Sequence, residues 1–239
     1  MTTQRTTTAD AMTTLKLTPK FDVTYLPRKI EALLAETEKP LHRAILKNYL
    51  RHALLEISGY WDQILVPELT IAEPVYRVSE RGQVHVLTGH AAVERFYREV
   101  HDTGQNVMAA RTLNMAVGDF GVITEAVWNH MTPGATLVGE IPDADPHAHY
   151  LIAHHIMQNF AYTSDAKLIG ERVYDDPASY SYEKLAPANV VTPEIAREQL
   201  APFLARATLD GPVTGFVQYK PWFPPQPLSA SFRERQTWP

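Results

Sequence analysis

Cysteine is absent from the 239-residue chain, which excludes disulfide frameworks, cysteine nucleophiles and thiolate-held zinc. Long apolar runs are absent too, and none approaches the roughly 20 residues that span a bilayer. The N-terminal stretch MTTQRTTTADAMTTLKLT has neither the apolar core of a secretory signal nor an Arg-rich amphipathic pattern. A soluble, cytoplasmic protein without membrane contact is therefore expected. Basic residues are outnumbered, 22 Lys+Arg against 27 Asp+Glu. Phosphate binding needs a concentrated basic face, so nucleic acid is not an expected partner. No glycine-rich phosphate loop and no G-x-S-x-G elbow occurs, which removes nucleotide cofactors and a serine triad from the expectations. At this length one core buries roughly 70–75% of the unfolded surface, so no metal staple is required and no cofactor is expected.

What is present divides the chain into three zones. Residues 1–20 hold eight threonines and little that could enter a core, and are read as a disordered arm. Residues 21–178 carry the periodic signals. Residues 179–239 are dense in proline and read as an extension that packs on the domain or on a partner subunit, since proline at that density disfavours sheet interiors and long helices. Within the middle zone the spacing predicts helices over 27–37 and from Pro40 to Ile57, and a short one over Tyr60–Val66. Strands are predicted at Leu69–Val78 and Val84–Leu87, then a helix over Gly89–Val100. Strands Val107–Val117 and Val122–Met131 follow, then a loop from Thr132 to Pro146, and strands Tyr150–Tyr162 and Lys167–Asp175. Helices segregated from an antiparallel meander mean α+β. The expected architecture is a curved antiparallel sheet wrapped around helices, leaving a conical pocket for a ligand.

Several polar residues interrupt apolar patterns. Glu73 follows Leu69, Ile71 and Ala72, and is either a partly desolvated general base or an exposed residue before a proline. Tyr49 sits on the Ile45/Ala53 side of the long helix, as an oxyanion donor or a core tyrosine. His154 and Gln158 share one strand face with Ile152 and Ile156, where each needs either a ligand or an internal partner. His155, Met157 and Asn159 take the other face, which suits association. His147, His149, His154 and His155 lack a repeated ligand spacing, so a metal site is not expected. His42, His52, His90 and His101 are read as solvated or capping residues without a role. In the tail, Phe216, Tyr219, Trp222, Phe223, Phe232 and Trp238 call for burial against the sheet, a partner or the pocket mouth.

Three stretches in order carry a family resemblance: Ile71-Ala72-Glu73-Pro74-Val75; Thr88-Gly89-His90-Ala91-Ala92-Val93-Glu94-Arg95-Phe96-Tyr97; and Phe160 with Lys167-Leu168-Ile169-Gly170-Glu171-Arg172-Val173-Tyr174-Asp175. Over roughly residues 41–176 the chain resembles the nuclear-transport-factor-like superfamily, which includes SnoaL-like polyketide cyclases, ketosteroid isomerases and scytalone-type dehydratases. The resemblance implies the cystatin-like cone, a homodimer and a small apolar carbonyl-containing ligand. It implies cofactor-independent acid/base chemistry: Glu73 in the position of the base, Tyr49, 24 residues earlier, as donor, and Gln158 where a second acid would sit. Glu73 is one methylene longer than the family's aspartate, and Gln158 is an amide. By the same resemblance His154 or His130 would carry protons in a dehydration. The alternative is a non-catalytic binding or assembly module on the same fold, with the pocket plugged and Glu73 paired to Arg77 or Arg111.

Overall fold

The computed structural model describes residues 21–209. Two helices open it, α1 (Tyr25–Glu36) and α2 (Pro40–Ile57). Pro40 starts α2 because a first-turn residue has no intrahelical use for its N–H, and Ser58-Gly59 ends it with Gly59 at φ 75°. The second short helix expected over Tyr60–Val66 is one 3₁₀ turn, Trp61–Gln63. Then come β1 (Val75–Glu80), β2 (Gln83–Thr88), α3 (His90–Asp102), β3 (Met108–Gly118), β4 (Gly121–Pro133), β5 (His149–Tyr162), β6 (Leu168–Asp175), β7 (Ser181–Lys184) and α4 (Pro193–Arg206).

The strands form one curved sheet ordered β2-β1-β6-β5-β4-β3, and β7 pairs with β5. The α+β cone is therefore present, with one correction: the sheet is mixed, because β1 and β6 run parallel. Local turn signals fix each hairpin, but β1 and β6 are about a hundred residues apart, and their relative direction depends on everything between them. Gly170 makes that junction possible. A Cβ there would lie 1.9 Å from the Val75 carbonyl oxygen, so Gly170→Ala is expected to cost at least about 2 kcal/mol, read as a lower urea midpoint at unchanged slope.

The expected strand from Leu69 is also shortened. Leu69–Ile71 makes only a single bridge and two backbone hydrogen bonds to Leu168, and Pro74, which has no N–H to donate, precedes the true start of β1 at Val75. The β4 strand extends to Pro133, further than the sequence predicts, before the 3₁₀ turn Gly134–Leu137. In the proline-dense zone β6 and β7 lie along the same side of β5, interrupted by the turn Pro177–Ser179. Pro202 sits inside α4, a helix that Thr192 caps and Pro193 starts, as Thr192-Pro193-Glu194 leads one to expect. Docking of α4 on α2 through buried Ala196 and Leu200, with Arg197 Nε donating to the Ser58 carbonyl at 2.9 Å, offsets the missing helix bond. The Thr-rich arm and the aromatics from Phe216 to Trp238 lie outside the described residues. No described helix is long and apolar enough to cross a membrane.

Strand alternation and register place the side chains that matter. Tyr76 and Val78 on β1, Glu171, Val173 and Asp175 on β6, and His154, Ile156, Gln158 and Phe160 on β5 all face the concave side. The inward row continues on β4 with Val122, Thr124, Ala126 and Trp128. Helix α2 lies across this face, with the Tyr49 ring 4.7 Å from that of Phe160.

Candidate functional site

Between α2, α3 and the concave sheet lies a cavity of about 400 Å³. Its walls are largely apolar, with Ile57, Val78, Leu87, Phe96, Ile156 and Val173 among them. Exposed Arg95 and Glu99 of α3 and His85 of β2 mark its mouth. The hollow is open rather than filled by its own side chains.

One face of α2 supplies the deep wall. Tyr49, His52 and Glu56 follow at i, i+3 and i+7, so they stack above one another on the side turned to the sheet. His52 is buried (1% exposed). Its Nε2 meets Glu171 Oε1 at 3.0 Å and Glu56 Oε2 at 3.6 Å. The same Glu171 oxygen accepts the single proton of the Tyr97 hydroxyl at 2.8 Å, so the Tyr76 hydroxyl, 3.0 Å away, donates to the Tyr97 oxygen. Burial pushes the His52 pKa down, but hydrogen bonds and charge from Glu171 and then Glu56 outweigh it and carry the group up to about 9. Its Nδ1 is sealed without a partner, which is the structural cost of holding that charge. Burial also raises the Glu56 carboxyl, with His52 pulling the other way. Burial, followed by the Glu171 charge, raises the phenols of Tyr49, Tyr76 and Tyr97 far above their usual range, so each stays a proton-bearing donor.

The middle of the cavity carries Gln158. Its Oε1 accepts from Thr124 Oγ1 at 3.0 Å and from the Trp128 indole Nε1 at 3.1 Å. An indole N–H only donates, so the atom facing it has to be the amide oxygen. The Gln158 NH₂ is left as the group available to a ligand.

At the far end His154 is buried (3% exposed) and its Nε2 lies 3.1 Å from His130 Nε2. The His154 ring stacks on Tyr180 at 4.5 Å, whose hydroxyl donates to Asp175 Oδ2 at 2.8 Å. Burial lowers both imidazoles to about 4, helped for His130 by Arg81 and for His154 by His130.

Of the residues singled out from sequence, Tyr49, Gln158 and His154 line this one cavity. Glu73 does not. It is exposed on the bend before β1, its carboxylate over Gly89 at the start of α3, where a Cβ on Gly89 would come within 2.8 Å of Oε2. It pairs with neither Arg77 nor Arg111. The reason is that Glu73 precedes the strand: the chain bends at residues 72–73, and β1 enters the sheet only at Val75. The reading of His52 as a solvated residue is likewise corrected. His52, Glu56 and Glu171 were not assigned roles from sequence. The 49/52/56 spacing was the available signal for the first two, and the alternation of Glu171 with Val173 for the third. Among the described residues no group of three His, Asp or Glu is arranged to hold a metal ion.

The chain matches no family model and no curated protein. It is similar in shape to solved structures. One, described as a SnoaL-like polyketide cyclase from Jannaschia sp. CCS1, is 16% identical over 59% of this chain and 90% of that one, with a TM-score of 0.42. Another, the epoxide hydrolase/cyclase-like enzyme SalBIII of pyran ring formation in the polyether salinomycin, is 14% identical over 65% of this chain and 97% of that one, with a TM-score of 0.39.

Proposed function

We propose that this protein is a cofactor-independent acid/base enzyme that moves a proton next to the carbonyl of a small, largely apolar ligand, with isomerisation, cyclisation or dehydration as the outcome. The observation that carries this reading is the buried His52 held between two carboxylates on the wall of an apolar cavity. A strongly perturbed ionisable group beside a cleft is a candidate functional group. This one borders a cavity together with uncharged donors.

The roles divide by environment. Glu171 Oε1 is engaged by both Tyr97 and His52, which fixes it as the anchor of the imidazolium. Glu56 has only the long contact to His52 and a carboxyl raised by burial, which suits a general base near neutral pH. The Tyr49 hydroxyl and the Gln158 amide are the donors for the oxygen on which enolate charge develops. The proton taken by Glu56 returns to a neighbouring atom of the same ligand, so the cycle consumes no cofactor.

A fluorescent naphthol, whose ionised oxygen imitates an enolate, tests this oxyanion site. Titration with equilenin is expected to shift its emission on binding, and Gln158→Leu to weaken that binding about tenfold. No emission shift at high protein concentration would favour the non-catalytic module.

A further inference from the structure

The far end of the cavity holds a proton arrangement that can be worked out atom by atom. His154 Nδ1 is buried with no partner, closed off on one side by the ring of Tyr180. A buried N–H without an acceptor is the costlier orphan, and a bare lone pair the cheaper one. The His154 proton therefore sits on Nε2, which faces His130 Nε2 at 3.1 Å. Two facing nitrogens need one proton between them, so His130 Nε2 accepts and its own proton goes to Nδ1. Among the described residues that nitrogen has no partner and, unlike Nδ1 of His154, is not sealed, on a residue that lines the cavity. Both rings are neutral at pH 7, because burial holds them near 4.

We infer that His130 is a specificity-determining residue whose Nδ1–H binds a second, uncharged acceptor oxygen of the ligand, with His154 fixing the tautomer that makes it a donor. The inference rests on the proposed reading of the cavity as a ligand site, and it assigns His130 and His154 a binding role in place of proton carriage. The ligand it selects is elongated. His154, whose ring lies 5.1 Å from that of His130, is four residues from Gln158 on β5, roughly 13 Å along the strand, with apolar Ile156 between them. A reacting carbonyl at one end and a ketone, ether or hydroxyl oxygen at the other would satisfy both.

The test compares equilenin, which carries a ketone at the end opposite its phenol, with its deoxo counterpart lacking that oxygen. The full chain is expected to bind equilenin about tenfold tighter than the deoxo compound, and His130→Phe to bind both alike, at the weaker affinity. Equal binding of both probes by the parent, or a preference that survives in His130→Phe, overturns the His130 assignment while leaving the Gln158 end intact. Failure of both probes to bind removes both the assignment and the proposed function. Nitrogen-15 spectra of the parent protein provide a readout independent of any variant: Nδ1–H on His130 and Nε2–H on His154 are expected, and the reverse pair of tautomers overturns the inference.

Discussion

Glu171→Gln is expected to lower the unfolding free energy at pH 7 by about 3–5 kcal/mol, the range for removing one partner from a buried ion pair. The amide keeps the shape of the carboxylate but not its charge. It leaves His52, 1% exposed, with Glu56 at 3.6 Å as its remaining counter-charge, and weakens the acceptor that holds the Tyr97 hydroxyl. Chemical denaturation read at constant slope measures the loss.

The pH dependence checks the cause. The folded-state pKa of His52 is raised to about 9 from the 6.5 of a free imidazole. Its contribution is fully present below pH 6.5 and disappears as the pH climbs through 9. Glu56, also raised, acts in the same direction at lower pH. His130 and His154 act in the opposite sense. Lowered to about 4, they remain neutral while the unfolded chain takes up protons, so stability falls as the pH drops from 6.5 towards 4. The parent is thus expected to be most stable near pH 6.5, and Glu171→Gln to flatten the decline between 6.5 and 9. A variant with the parent's alkaline slope would assign that decline to other groups.

The fold was legible because its elements are regular. The apolar repeat of Leu46, Leu50 and Ile57 announces α2, and the alternation around Phe160 announces β5. The parallel meeting of β1 and β6 was not legible, because it depends on a close approach at Gly170 that no local pattern encodes. The site was half legible. Tyr49 and Gln158 line the cavity as expected, but Glu73 does not. An acid-Pro-Val motif shows an acid near a strand, and only the structure shows that the strand begins after it, at Val75. His52 reads as a solvated helix residue because a histidine does not mark a buried stripe, although it lies three residues after Tyr49 on the same side. Alternation puts Glu171 on the same face as Val173, and the pairing of Phe160 with Glu171 turns that face toward the helix.

The second large effect is expected at Glu56. Glu56→Gln retains the side chain's length and removes its basicity, while Glu171 continues to hold His52. A positioned general base contributes roughly a hundred- to ten-thousandfold to such a step, and this one, unlike Glu171 and Asp175, has no short hydrogen bond to occupy it. Its loss should slow proton transfer without unfolding the protein. Binding of the naphthol probe should change little, because Tyr49 and Gln158 remain.

Deuterium uptake at the carbon beside the carbonyl, followed by proton NMR in D₂O across a set of unsaturated and β-hydroxy ketones, measures that step itself. The parent is predicted to exchange at least one of these ketones, and Glu56→Gln to do so roughly a thousandfold more slowly. Exchange undiminished in Glu56→Gln, or absent from the parent with every ketone its cavity binds, would contradict the account.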